Sequence, residues 1–295
     1  MTALDTKIGP IRIPGWWKWT TEDIPALRFE DCPGGTTGCP TLSLKPGSSF
    51  GMGTHPFGQD DIGRDYFALV MNGARRSLMI MFVIGAVAGF IGVVVGSIAG
   101  FYGKMVDAVL MRLVDFIQTV PTIIIAAVIG KAAGKVGPLY LALFLGILGW
   151  TGLARLVRAQ FLSLREMEFV DAARVAGASN IRIAFKHILP NAVGQIIVAV
   201  TLIMAGAILT ETALSYLGFG VVAPDVSLGL LISQYESSFT TRPWLFWWPG
   251  LFIISIALCV NFIGDGLRDA FDPRQRRRIT KKDRLQAKVQ AKAGA

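Results

Sequence analysis

The chain has 295 residues, of which 53% are hydrophobic and only 17% charged, and its mean hydropathy is +0.53; the apolar residues gather in long stretches that a soluble core does not need. A formal charge of +9 could suit nucleic acid or an anionic surface, but ten of the 29 Lys and Arg lie between Arg268 and Lys292, and six more (Arg155, Arg158, Arg165, Arg174, Arg182, Lys186) lie in one internal loop. Basic clusters beside apolar stretches follow the positive-inside pattern. With no aromatic–basic platform or finger spacing beside them, they argue against nucleic-acid binding, and two His without a close Cys/His cluster argue against structural zinc.

In chain order, residues 1–50 are rich in Pro, Gly and Trp and contain no run long enough to span a bilayer. Cys32 and Cys39 bracket a Gly-rich loop that would let their sulfurs meet in an oxidising compartment. Residues 60–77 read as a short amphipathic helix, with Ile62, Tyr66, Leu69, Val70 and Gly73 at three- and four-residue intervals and Asp60 or Asp61 as its cap. Five membrane spans are expected near 78–101, 106–130, 137–156, 192–214 and 244–264. Pro121 lies inside the second, and Trp244, Trp247 and Trp248 seat the fifth at an interface.

The fold class expected is therefore all-α: a polytopic helical bundle, with residues 1–77 outside the cytoplasm, a transmembrane domain over 78–267 and a basic cytoplasmic tail over 268–295. This orientation puts the basic loop 158–190 and the C-terminus in the cytoplasm, and the segments near 131–138 and 216–243 outside.

The loop is the most informative stretch. It reads as a helix over 165–176, broken at Gly177, restarting near Asn180 and ending before Pro190, which opens the next helix. Ala172, Ala173 and Ala176 leave a thin face able to enter a groove on another protein, and Asp171, Arg174 and Arg182 offer orienting charges. The glycines Gly85, Gly89, Gly92, Gly96 and Gly100 form a small-residue stripe for close helix packing. Gly130–Lys135 has one residue too few for a phosphate loop and reads as an exterior loop. Asp107, Arg112 and Asp115 lie near the cytoplasmic end of the second span, where Arg112 could pair with either carboxylate. Glu211, near the outer end of the fourth span, suits a structural hydrogen bond or a pathway or gating contact. No nucleophile–base pair points to an enzyme.

Asp171-Ala172-Ala173, Gly177 and Ile188-Leu189-Pro190 resemble the EAA signature of ABC-importer permeases, with Asp171 where the family usually has Glu. His55-Pro-Phe-Gly58, Asp61-Ile-Gly-Arg64-Asp65, Gly73-Ala-Arg75-Arg-Ser77, Leu214-Ser-Tyr-Leu-Gly218 and Phe271-Asp-Pro273 narrow the resemblance to the C-type membrane subunit of dipeptide, oligopeptide and nickel importers. It implies a coupling helix using Glu168, Asp171, Ala172, Ala173, Arg174, Gly177, Arg182, Ile188, Leu189 and Pro190. It also implies a second homologous permease, two ATPase subunits that carry the ATP and Mg²⁺, and an extracytoplasmic substrate-binding protein, in a bacterial cytoplasmic membrane. No cofactor is expected on this chain. Peptides are the expected cargo, with nickel or another small solute as the alternative. A secondary transporter is the rival class, and would show paired repeats and interrupted spans with midplane charges. Family members usually carry a span before the His-Pro-Phe-Gly segment, so the expectation is a longer native protein with one more N-terminal span.

Overall fold

The computed structural model describes residues 54–133 and 137–271, with short stretches at 4–6, 9–11, 21, 37–40, 42–43 and 51–52. Near the N-terminus β1 (Leu4–Thr6) pairs antiparallel with β2 (Gly9–Ile11), and β3 (Leu42–Ser43) with β4 (Gly51–Met52). The rest of the described chain is a helical bundle.

Helix α1 runs unbroken from Tyr66 to Tyr102. The expected separate helix over 60–77, capped by Asp60 or Asp61, is corrected. Asp65 is the cap, its carboxylate accepting from the Ala68 amide at 2.9 Å. Asp60 instead folds the preceding turn, accepting from the Ile62 and Arg64 amides at 3.1 and 2.7 Å. With no Pro near Ser77 to break the ladder, amphipathic head and apolar span form one helix.

The second expected span is a bent pair, α2 (Lys104–Thr119) and α3 (Thr122–Ala133), meeting at 70°. Val120 is extended at φ −90°, ψ 128°, as steric clash with the following Pro121 requires. The third is also bent, by 41° at Trp150, into α4 (Pro138–Gly149) and α5 (Thr151–Leu164). After α6 (Glu168–Val175) and α7 (Asn180–Arg182), the chain does not stop before Pro190 as expected. A wider π-type turn over Ile183–Ile188 leads directly into α8 (Leu189–Tyr216), the Leu189 amide reaching back to the Ala184 carbonyl. Pro190 would press on the carbonyl four residues back in a regular helix, and the widened turn relieves that clash. The expected exterior stretch 216–243 contains a further helix, α9 (Leu228–Tyr235), capped by Ser227 and with Leu228, Leu231 and Tyr235 buried. Helix α10 (Trp244–Phe271) completes the bundle. Among the described residues, three helices are long and apolar enough to cross a membrane, and each bent pair counted as one span makes five.

Helix α1 is the hub, packing on α4, α5 and α8 and touching α2, α9 and α10. Its glycine stripe faces two neighbours. A Cβ at Gly96 would lie 2.5 Å from the Ala154 carbonyl oxygen, and one at Gly100 would lie 2.5 Å from Phe161 Cβ, both on α5. A Cβ at Gly85 would meet Met204 Cγ of α8 at 2.3 Å.

The two ends of the bundle differ. At one, Phe57 stacks on Trp248 with centroids 4.0 Å apart, and buried Asp60 accepts from Arg64 Nε at 2.6 Å and from the Tyr235 hydroxyl at 3.1 Å. His55 Nδ1 lies 2.8 Å from Asp65, and the Tyr66 hydroxyl donates to the Leu245 carbonyl, so the motif-rich segment before α1 ties its head to α9 and α10. At the other end lie the foot of α1, the segment 165–190 and the end of α10, where Phe271 approaches Gly194.

Candidate functional site

The segment between α5 and α8 is a closed helix–turn–helix. Met167 is extended and starts α6, whose first turn holds Glu168 and Asp171, the charge that a helix N-terminus favours. Arg174 in the last turn donates to Asp171 at 3.2 Å. Both side chains are more than half exposed, so the pair contributes at most about 0.5 kcal/mol and orients rather than stabilises.

Beyond α6, the Gly177 amide donates to the Arg174 carbonyl at 2.9 Å and the Ala178 amide to the Ala173 carbonyl at 3.0 Å. These two bonds form a Schellman closure, which needs a left-handed residue after the helix. Gly177 supplies it at φ 78°, and nothing lies within 4 Å of where its Cβ would be. The backbone angle, not space, therefore demands glycine there. Ser179 then caps the next helix, its Oγ accepting from the Arg182 amide at 3.4 Å.

One face of this unit is fastened to the bundle. Val170, Ala173, Ile183 and Ile188 are buried against Leu153, Val157 and Phe161 of α5 and Ala192 and Ile196 of α8. Ala172 and Ala176 remain exposed, but Ala173 points inward, which corrects the expected three-alanine face. Ile188 is buried and Leu189 half-buried, so both anchor the unit, whereas Glu168, Asp171, Arg174, Gly177, Arg182 and Pro190 are exposed. Sequence reasoning missed the residues that make the free face apolar: Val175 is 90% exposed, Ile181 68% and Phe185 56%. Apolar residues placed on a polar helix face in a basic segment were the available signal.

The other expected site residues fall elsewhere. Arg112 does not pair with Asp107 or Asp115 as expected: Asp107 takes a two-pronged bond from Arg158, and Asp115 lies 2.6 Å from Arg155. Glu211 is wholly buried. Ser215 Oγ donates to it at 2.8 Å and Ser77 Oγ at 3.3 Å, with Ser227 as a third hydroxyl partner. This node joins α1, α8 and the start of α9, a structural use of the carboxyl. The expected exterior loop at 130–135 begins as the last turn of α3, where a Cβ at Gly130 would sit 1.9 Å from the Phe219 carbonyl oxygen; residues 134–136 lie outside the described residues. Cys39 is disulfide-bonded and Cys259 is free, while Cys32 lies outside the described residues. So does the tail beyond Phe271.

Comparison with known proteins matches this arrangement to a family. Residues 92–277 match the family described as "Binding-protein-dependent transport system inner membrane component". The oligopeptide transport system permease protein OppC of Mycobacterium tuberculosis strain H37Rv is 40% identical over 236 residues, 80% of this chain and 79% of the relative. OppC of Bacillus subtilis strain 168 is 41% identical over 223 residues, 76% of this chain and 73% of the relative. The fold is shared with a chain of the inward-facing MetNI methionine ABC transporter, with a TM-score of 0.55 at 19% identity over 70% of this chain and 97% of that one. The chain belongs to the inner membrane components of binding-protein-dependent transport systems, and is an ABC-importer permease.

Proposed function

We propose that this permease, together with a second homologous permease subunit, forms the path by which di- and oligopeptides enter the cell. The carrying observation is the helix–Gly177–helix unit, fastened inward by Val170, Ala173, Ile183 and Ile188 and presenting Val175, Ile181 and Phe185 outward. A rigid projection with an apolar tip and exposed charges is the shape that transmits force from a partner's groove. In this reading α6 docks on an ATPase subunit, Glu168, Asp171, Arg174 and Arg182 set its orientation, and Gly177 holds the bend. Two ATPase subunits carry ATP and Mg²⁺, and an extracytoplasmic binding protein delivers the cargo. The OppC relatives, named as oligopeptide permeases, support peptides as that cargo. ATP binding closes the ATPase pair, moves the two coupling helices, and shifts the permeases between two discrete states of access.

The positive-inside pattern supports a cytoplasmic C-terminus in the bacterial cytoplasmic membrane. A cysteine placed at Ser238 then reacts with an impermeant reagent from outside, and one at Lys281 only after permeabilisation; the reverse pattern overturns the orientation. The function is tested in a reconstituted complex of both permeases, ATPase subunits and binding protein. Peptide-loaded binding protein is expected to stimulate ATP hydrolysis, and Gly177→Val or Asp171→Lys to lose uptake while the chain still inserts. Normal uptake and normal ATPase association in both variants would sink the coupling assignment.

A further inference from the structure

We infer that a row of arginines running down α5 into the coupling segment ties α2 to that segment, so that α2 moves with the coupling helix; this rests on the transport reading above. Helix α2 is poorly held by apolar burial. Val114 is its one buried residue, while Met105, Val109 and Phe116 are 76%, 62% and 72% exposed. Beyond the packing of Val114 on Trp150 and Ala154, its links to α5 are polar. Arg158 directs Nε and Nη2 at the two oxygens of Asp107, the second at 2.6 Å, and Arg155 Nη2 donates to Asp115 at 2.6 Å. Gln118 Nε2 donates to Thr151 Oγ1 at 2.9 Å. Just past α5, Arg165 Nη1 donates to the Gly100 and Phe101 carbonyls at 3.2 and 3.5 Å, closing the foot of α1 where it turns into α2.

The spacing makes these contacts one seam. Thr151, Arg155, Arg158 and Arg165 recur at helical intervals along one face of α5 and its extension, and Asp107, Asp115 and Gln118 along one face of α2. The α1–α2 turn holds two successive residues at positive φ, Gly103 at 63° and Lys104 at 47°. A Cβ at Gly103 would fall 2.8 Å from Arg165 Nη1, so the arginine fills the space that a side chain would take.

The chemistry of the link suits a transmission role. Apolar contacts are non-directional, so packed helices can slide past one another. A two-pronged guanidinium–carboxylate bond fixes both distance and register, which a lysine cannot do. The α5 side of the seam is in turn fused to the coupling unit, because Val157 and Phe161 of α5 pack on Val170 and Ala173 of α6. Displacement at the coupling helix therefore reaches α2, and the bent pair α2–α3, through Arg158. Arg158 and Asp107 are 33% and 16% exposed, against 49% and 52% for Arg155 and Asp115, so the inner pair is the less screened and carries more of the link. Arg158 is thus a positioning residue.

The test uses the complete reconstituted importer, with a pool of short peptides as cargo, and reads cargo moved per ATP hydrolysed. Arg158→Ala is expected to keep its ATPase subunits but to lower that ratio at least about fivefold, the lower range of coupling energies between sites. Arg155→Ala is expected to change it less than about twofold, as half-exposed pairs do. The exchange Asp107→Arg with Arg158→Asp should recover most of the loss, and Arg158→Lys only part of it. Should Arg158→Ala fail to assemble, Asp107→Asn keeps the shape while removing the charge and one of the two acceptor oxygens. A cargo-independent readout is the spin-label distance between cysteines at Ser163 on α5 and Val109 on α2. It should stay constant between the nucleotide-free and ATP–vanadate-trapped native complex, and change on trapping in Arg158→Ala. An unchanged ratio in an assembled Arg158→Ala complex, an exchange that assembles without recovery, or a native distance that shifts on trapping would overturn the inference. A native complex in which loaded binding protein fails to stimulate ATP hydrolysis would instead overturn the transport reading.

Discussion

Helix α5 meets α1 and α2 in opposite ways. Toward α1 it presses onto Gly92, Gly96 and Gly100, and its own Leu153, Ala154, Val157 and Phe161 stand within 3 Å of where their Cβ atoms would be. Toward α2, beside a small apolar contact of Val114 with Ala154, it extends Arg155 and Arg158 to Asp115 and Asp107. Close packing in a bilayer, where lipid offers no hydrophobic drive between helices, gains dispersion only if the backbones approach, so it tolerates no added atom. Charged arms hold register through directional bonds rather than through close approach of backbones. The first seam is built to stay shut, and the second to carry motion.

The close seam between α1 and α5 is most sensitive at Gly96. Gly96→Leu drives a side chain into the Ala154 carbonyl and Val157 Cβ, 2.5 and 2.7 Å from the new Cβ, at a cost of about 3 kcal/mol or more. The expected result is loss of the folded complex, read as a fall in thermal midpoint and in detergent-soluble yield. Gly149→Ala, whose Cβ would find only Ala88 Cβ at 3.8 Å, is the matched neutral control.

A second variant asks whether charge or burial sets the cost of losing an ion pair. Asp60 is fully buried and serves Arg64, Tyr235 and two backbone amides. Asp60→Ala leaves these donors unpaired at the head of α1, costing about 2 kcal/mol after allowing for the part-exposed Arg64. Arg158→Ala, at the more open seam, is expected to cost less stability and more coupling. Thermal unfolding of the two variants side by side decides it.

Gly177 separates glycine used for angle from glycine used for space. Its surroundings are open, so Gly177→Val strains only the backbone, by about 1–2 kcal/mol confined to the turn. Uptake should fail while the thermal midpoint of the bundle stays near native. A collapse like that of Gly96→Leu would contradict the distinction.

The head also has an alkaline limit. Burial, then the Asp60 carboxylate, pushes the Tyr235 phenol up, against the opposing pull of Arg64. A phenol whose pKa is raised on folding contributes stability in full below its unfolded value of about 10, and that contribution is lost as pH rises toward the folded value. Unfolding midpoints should therefore decline above about pH 10 in the native chain, and less steeply in Tyr235→Phe. The smallest effect belongs to Asp171→Ala, whose exposed partner Arg174 leaves the midpoint within about 0.5 kcal/mol of native. Activity, not stability, is where that variant should differ.

The sequence alone was enough to show a membrane bundle, the five apolar stretches, the glycine stripe and the break at Gly177. Each depends on composition or local spacing. Partition into lipid is a sum over neighbouring residues, small residues at every fourth position mark a helix edge, and a left-handed turn needs glycine wherever it occurs. Tertiary structure alone decided what meets what. Asp65 rather than Asp60 caps α1 because Asp60 is engaged by Arg64 and Tyr235, the latter 175 residues away. Asp107 pairs with Arg158, 51 residues on, rather than with nearby Arg112. Ala173 turns inward because Val170 and Ile183 pull its face of α6 onto α5 and α8. Helix α9, eight residues long, forms where its leucines find the heads of α1 and α10. Charge pairing and burial depend on distance through space, which a chain acquires only when its helices have packed.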